Sequence, residues 1–116
     1  HPQIIQYPCG GGFFEKHNHP YLPQRFGLIL NLSARGKDFC TGGTRFWNEE
    51  GRLVEAEEYQ SAGDLTVFRY NLPHDVNFVD PQKELNIKDL SGRWVALLPI
   101  YSQDILNSFK NNQYQE

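Results

Sequence analysis

Glycine and proline constrain the fold of this chain more than any other feature. Ten glycines and seven prolines are spread over 116 residues, so they interrupt the sequence too often for long helices. Between them lie short runs rich in β-branched and aromatic side chains. About eight such runs at roughly even spacing predict an all-β sandwich or jelly roll. No segment between the runs has the pattern of a crossover helix, which excludes parallel βαβ units.

The predicted strands have the length and alternation of sheet elements, and a short helix is predicted after the last of them. The strands are QIIQY at 3–7, FFEKHNH at 13–19, RFGLILNLS at 25–33, TRFW at 44–47, RLVEAEEY at 52–59, LTVFRYN at 65–71, HDVNFV at 74–79 and RWVALLPIY at 93–101. The helix is expected over 102–110, where Ser102 is the N-cap and the apolar residues share one face.

Composition narrows the possible functions. We expect one domain over residues 1–116, and a chain that begins without methionine indicates a processed or trimmed piece that lacks an N-terminal segment. A net charge of −3 argues against nucleic-acid binding, and no apolar run has the length of a membrane span. Cys9 and Cys40 form no metal or disulfide framework. They are interpreted as idle thiols in a reducing, cytoplasmic compartment.

The stretch FFEKHNHPY at 13–21 carries the strongest chemical signal. Alternation along a strand would place Glu15, His17 and His19 on one face. His74 opens a later strand, and a jelly roll brings early and late strands side by side. Imidazole nitrogens bind iron, copper, zinc or nickel, so the pattern predicts a metal site, with a solvated histidine patch as the alternative.

The order of motifs from residue 3 to residue 101 resembles the 2-oxoglutarate/Fe(II)-dependent oxygenases of the prolyl-4-hydroxylase-like kind. Those proteins fold as a double-stranded β-helix, which is a jelly roll. Four segments match the family's signals in the right order: QYPCGGGFFEKHNH at 6–19, GGTRF at 42–46, GDLTVFRYNLPH at 63–74 and GRWVAL at 92–97.

The resemblance implies a function and a site. It implies an enzyme in which His17, His19 and His74 bind Fe(II) while Arg93 and Tyr7 bind the far carboxylate of 2-oxoglutarate. The expected reaction is hydroxylation of a C–H bond in a small molecule or a peptide. The sequence leaves the substrate and the oligomeric state open.

Two features depart from the family's pattern. His19 stands where the family has an acidic ligand, and the loop between His74 and Arg93 is longer than usual. A third neutral imidazole cancels none of the charge of Fe(II). The alternatives are therefore a site built on His17 and His74 with another acid, for which Glu15 is the candidate, or with an open position, or a chain that binds no metal.

Other polar residues are second-tier candidates for the same pocket. They are Glu15, Asn31, Thr44, Arg69 and Trp94. The acidic stretch EEGRLVEAEE at 49–58 is interpreted as a solvated face.

Two other function classes stay open. A cupin-like three-histidine metalloprotein fits the spacing from Gly11 to His17 and His19. The glutamate that this class needs next is missing, because Pro23 and Gln24 stand there. The third class is a non-catalytic jelly roll that binds a small ligand or a partner.

Overall fold

The structure, a computed structural model, describes residues 1–20 and 24–100. Within these ranges the chain forms eight strands and one 3-10 turn, Ala56–Tyr59. The strands are β1 Gln3–Tyr7, β2 Gly12–His17, β3 Phe26–Asn31, β4 Gly43–Trp47, β5 Leu53–Glu55, β6 Leu65–Arg69, β7 His74–Val79 and β8 Arg93–Leu97. The helix predicted at 102–110 lies outside the described residues.

The strands form two four-stranded sheets with the orders β1-β8-β3-β6 and β2-β7-β4-β5. Every pairing is antiparallel, which confirms the predicted all-β class. In the first sheet the late strand β8 lies between the early strands β1 and β3. In the second sheet β7 lies between β2 and β4. Residues far apart in sequence therefore become neighbours across each sheet.

The apolar core lies between the two sheets. Strand β8 shows why: Val95 alternates with outward neighbours and is 1% exposed, as expected for a strand with one buried face. The core contains Tyr7, Cys9, Ile29, Phe39, Val79 and Val95. The β2–β7 pair begins at this core, with Gly12 opposite Val79, and ends where His17 faces His74.

Asp80 ties three connecting segments together just after β7. Its carboxylate is fully buried and accepts hydrogen bonds from the backbone N–H groups of Cys40 and Thr41, at 3.0 Å and 2.8 Å. The thiol of Cys9 donates to the same carboxylate at 3.3 Å, and the Lys83 ammonium lies 3.5 Å away. The backbone of Asp80 has a φ of 41°, a strained conformation that these contacts hold in place.

We expect Asp80→Asn to destabilise the protein by about 2–4 kcal/mol at neutral pH, because the amide group replaces one acceptor oxygen with a donor. Burial raises the pKa of Asp80, but the N–H groups of Cys40 and Thr41 outweigh it and hold the pKa below its ordinary 3.8. The stabilisation is therefore complete above the unfolded-state pKa and is lost as the pH falls through the lower folded-state pKa.

Urea unfolding of both proteins between about pH 7 and pH 2 measures this effect. The difference in unfolding free energy should narrow in acid, where the carboxyl group of Asp80 is itself protonated. A difference that stays constant over that range would contradict the role assigned to the carboxylate.

Candidate metal centre

Pairing of β2 with β7 places His17 directly opposite His74. The two ring centroids are 4.3 Å apart. The pairing register of β2 is irregular between Gly12 and Phe14 and again between Phe14 and His17. Such irregularities redirect side chains relative to a regular strand, so simple alternation does not describe this segment.

His19 also lies beside His17 and His74, but strand alternation, which was the predicted reason, does not place it there. Strand β2 ends at His17, so His19 lies in the segment that follows, just before Pro20. Its ring stacks on the ring of Tyr70, with centroids 4.0 Å apart and planes 5° from parallel. Its backbone N–H donates to the carbonyl oxygen of Tyr70 at 3.4 Å. Contact with Tyr70 therefore positions this histidine.

The three histidines form one cluster, in which their ligand nitrogens lie within 4.8 Å of one another. The Nδ1 atoms of His17 and His74 are hydrogen-bonded to the carbonyl oxygens of Glu15 and Leu72, at 2.6 Å and 2.7 Å. A carbonyl oxygen can only accept, so each Nδ1 carries the proton. In the neutral form of either ring, Nε2 then carries the free lone pair, which is the arrangement found in metal-binding histidines.

Burial keeps two of the rings neutral. Burial is the largest cause that lowers the pKa of His74 to about 4; the His17 and His19 rings act in the same direction, and the Leu72 carbonyl opposes them. Burial, and then the charge of His17, also lowers the pKa of His19. Both rings are consequently unprotonated near pH 7, the form that binds a metal ion.

A cavity of about 470 Å³ adjoins the cluster, and all three histidines line it. Its volume is in the range of small-molecule sites. Aromatic and aliphatic side chains form most of its wall, with a few polar groups among them. The wall includes Phe14, Phe68, Tyr70, Ile5, Ile29, Val76 and Leu97, and the polar groups include Tyr7, Gln24, Thr44 and Asp75.

Arg93 does not line this cavity but is buried behind two residues that do, Tyr7 and Thr44, and it carries one unsatisfied nitrogen. Its Nε donates to Oε1 of Glu57 at 2.5 Å, and its Nη2 donates to the Thr44 hydroxyl at 2.6 Å. Its Nη1 has no hydrogen-bond partner among the described residues. The guanidinium carbon lies 5.6 Å from the centroid of the Tyr7 ring. The structure thus places Arg93 against Tyr7 and Thr44.

Four of the second-tier candidates lie away from the cavity. Glu15 is exposed and contributes only its carbonyl oxygen, to His17. The Asn31 amide donates to Gln60. The other two have partners of their own: Arg69 pairs with Glu49 at 2.7 Å, and the Trp94 indole donates to the Leu90 carbonyl oxygen at 2.8 Å. None of the four lines the cavity.

The interpretation of 49–58 as a solvated face is wrong for Glu57. This residue is 6% exposed, and its carboxylate contacts both Arg93 and the backbone N–H of Thr44. Gly43 makes room for it, because a Cβ at that position would collide with the Glu57 side chain. Tyr70 and Asp75 were missed as well. The sequence shows no local sign of any of the three, since each contacts a residue that is distant in sequence.

Three imidazoles beside an accessible cavity fit a first-row divalent metal ion such as Fe(II), Mn(II) or Zn(II). Bonds of about 2.1 Å would draw the nitrogens closer together than they are now, a small movement for these side chains.

No helix in the described part of the chain is long and apolar enough to cross a membrane. Compared with known proteins, the chain matches no family model, no curated protein and no solved structure.

Proposed function

We propose that this protein is a non-haem iron oxygenase that uses 2-oxoglutarate to hydroxylate a small-molecule or peptidyl substrate. The observation that carries the proposal is the convergence of His17, His19 and His74 at the edge of a cavity large enough for a cosubstrate. A second observation supports it: Arg93 is buried behind Tyr7 and Thr44, two residues that line the same cavity.

The strand order supports the proposal. A jelly roll is built from two Greek keys, which distribute eight strands over two sheets. In chain order this gives sheets of strands 1, 8, 3, 6 and strands 2, 7, 4, 5, the order found here. We therefore propose a jelly roll, the architecture that the oxygenase resemblance implies.

The spacing between His74 and Thr44 suits a short dicarboxylate. Strand β4 pairs with β7 so that Phe46 lies opposite His74, and Thr44 lies two residues along β4. Two strand residues span about 7 Å, close to the length of a five-carbon diacid. Thr44 in turn accepts a hydrogen bond from Arg93. A ligand of that length bound at the histidines would extend to Thr44, in front of the buried Arg93.

Bound together, Fe(II), 2-oxoglutarate and oxygen supply the oxidising chemistry for hydroxylating a C–H bond. The protein's own residues orient and enclose them. The Glu15 and Leu72 carbonyls fix the rings of His17 and His74, and stacking on Tyr70 fixes His19. The apolar wall excludes water, and Arg93 lies buried behind Thr44, which lines the cavity and accepts a hydrogen bond from it.

Thermal denaturation with Mn(II), with 2-oxoglutarate and with both tests the proposal. Mn(II) at about 100 times its dissociation constant should raise the melting temperature by roughly 5–15 °C. 2-Oxoglutarate should raise it further only when Mn(II) is present, because the metal supplies half of its site. A shift with 2-oxoglutarate alone, or no shift at all, would reject the oxygenase and favour a non-catalytic binding module.

The second candidate is a cupin-like three-histidine metalloprotein. Two observations favour it: the third ligand is a neutral imidazole, and Glu57 already neutralises the charge of Arg93. A metal-dependent shift that 2-oxoglutarate leaves unchanged would select this candidate.

A further inference from the structure

We propose that the free edge of β6 is a dimerisation surface: β6 of a second copy of this chain pairs with it antiparallel, so that the first sheet continues across a two-fold axis. The inference does not depend on the proposed function. It rests on the open backbone of β6, on the apolar side chains beside it and on the charges at its two ends.

Strand β6 is an edge strand without the usual protection against pairing. Within the described part of the chain, β3 is its one neighbour in the sheet. Its five residues, Leu65–Arg69, pair with β3 in an unbroken register and include no proline. The edge strands of the second sheet differ, because β5 has only three residues and the register of β2 is irregular at two places. Short or irregular edges prevent association, so β6 is open to a further strand where β2 and β5 are not.

The hydrogen-bonding groups on the free side of β6 belong to Leu65 and Val67. The backbone N–H of Tyr70 donates to the carbonyl oxygen of Arg25, next to β3, at 2.8 Å. Bonds between antiparallel strands use every second residue, so the backbone groups of even-numbered residues face β3 and those of Leu65 and Val67 face away. Two antiparallel copies with Leu65 opposite Val67 would join these N–H and C=O groups in four hydrogen bonds.

The side chains on the outer face of this edge are apolar. Leu65 and Val67 are 50% and 59% exposed, and their cross-strand neighbours on β3 are Leu30 and Leu28. The outer face of a solvated antiparallel sheet is normally polar, so this apolar row indicates an interface. In the proposed register Leu65 of each copy contacts Val67 of the other, which removes both side chains from water.

The charges at the two ends of β6 favour a second copy in antiparallel orientation. Asp64 precedes the strand, Arg69 ends it, and both are exposed. Antiparallel pairing brings the Arg69 end of each copy to the Asp64 end of the other, whereas parallel pairing would bring like charges together. The bond from Arg69 to Glu49 lies at the surface, so giving it up costs little. Residues 65–67, at the two-fold axis, are uncharged, and the surface is therefore its own complement.

Light scattering coupled to size-exclusion chromatography tests the inference, under reducing conditions because Cys40 is exposed and free. Between about 10 µM and 1 mM protein, the mass of the wild type should rise from the 13.5 kDa of one chain toward twice that value. Val67→Pro removes an N–H that faces the second copy and leaves the bonds to β3 in place. It should raise the dissociation constant of the dimer at least about tenfold, because one hydrogen bond is lost from each copy.

Leu53→Pro is the matched control at the edge of the other sheet. Arg52 accepts the backbone N–H of Asn48 at 3.0 Å, so the next residue, Leu53, directs its own N–H away from β4. Leu53 is 43% exposed on the short strand β5. The same substitution there should leave the dissociation constant unchanged.

Three results would overturn the inference. A wild type that stays monomeric at about 1 mM would leave the edge of β6 to an extended peptide from another protein. Equal dissociation constants for the wild type and Val67→Pro would place the interface elsewhere, and a mass above that of two chains would reject two-fold pairing. If circular dichroism shows that Val67→Pro is not folded, Val67→Lys takes its place, with Leu53→Lys as the control, because an exposed lysine also blocks edge pairing.

Discussion

Alanine in place of His74 should remove metal binding while the protein still folds. His74 is the buried member of the cluster, and its ring lies within 4.3 Å of the His17 ring and 5.3 Å of the His19 ring, centroid to centroid. Loss of an outer-shell partner typically costs about 10- to 100-fold in metal affinity, so loss of a ligand should cost more. Mn(II) binding followed by electron paramagnetic resonance, at one fixed pH, measures the effect.

The chain offers a matched control for this experiment. His1 is the remaining histidine; it lines the cavity but lies outside the cluster, so His1→Ala should bind Mn(II) like the wild type. Circular dichroism of the metal-free variants separates loss of a ligand from loss of the fold. Equal Mn(II) affinity in His74→Ala and the wild type would end the metal-site interpretation.

His19 decides what kind of site this is. His19→Asp should keep or strengthen metal binding, because a carboxylate cancels part of the ion's charge at the position where the resembled family has an acid. His19→Ala should weaken binding, because it leaves one coordination position open. If the wild type and both variants retain the same amount of metal, His19 is not a ligand, and stacking on Tyr70 is its only role at this site.

Replacing Arg93 with alanine should lower the unfolding free energy by about 3–5 kcal/mol, because it leaves Glu57 buried without a partner. That is a large share of the roughly 5–15 kcal/mol that holds a typical domain folded. Urea unfolding monitored by circular dichroism gives the value directly. The slope against urea concentration should match that of the wild type if both unfold in two states.

Arg69→Ala provides the matched control. It breaks an arginine–glutamate pair of similar length, 2.7 Å to Glu49, but these side chains are 46% and 78% exposed. Exposed pairs contribute about 0–1 kcal/mol, so little stability should be lost. Removing both buried charges in Arg93→Met with Glu57→Leu should recover much of the loss in Arg93→Ala. Equal effects of Arg93→Ala and Arg69→Ala would contradict the burial of the Arg93–Glu57 pair.

Local pattern was enough to predict most of the strands. The bounds predicted for β1 and β7, 3–7 and 74–79, agree with the structure, because alternation and the flanking prolines are both local signals. Strand β8 was predicted to run to residue 101 but ends at Leu97, two residues before a proline that cannot donate to the sheet. Strand β2 was predicted to reach His19 but ends at His17.

For the candidate site, the sequence by itself determined the ligand types and two of their positions. Two histidines two residues apart and a third at the start of a late strand were sufficient to predict that His17 and His74 meet, since antiparallel sheets of this kind pair early strands with late ones. Buried side chains alternate with more exposed ones along β3, and short β-prone runs between glycines and prolines were enough to predict the all-β class.

Only the tertiary structure decided how His19 and Arg93 are held. The sequence placed His19 on a strand face, whereas contact with Tyr70, 51 residues later in the chain, positions it. The sequence predicted that Arg93 binds a ligand carboxylate, whereas in the structure Arg93 forms an ion pair with Glu57. Periodicity reports which face of a strand is buried, but it carries no information about which residue of another strand lies across the interior. That choice depends on sheet order, on register and on small residues such as Gly43, whose missing Cβ leaves room for the Glu57 carboxylate.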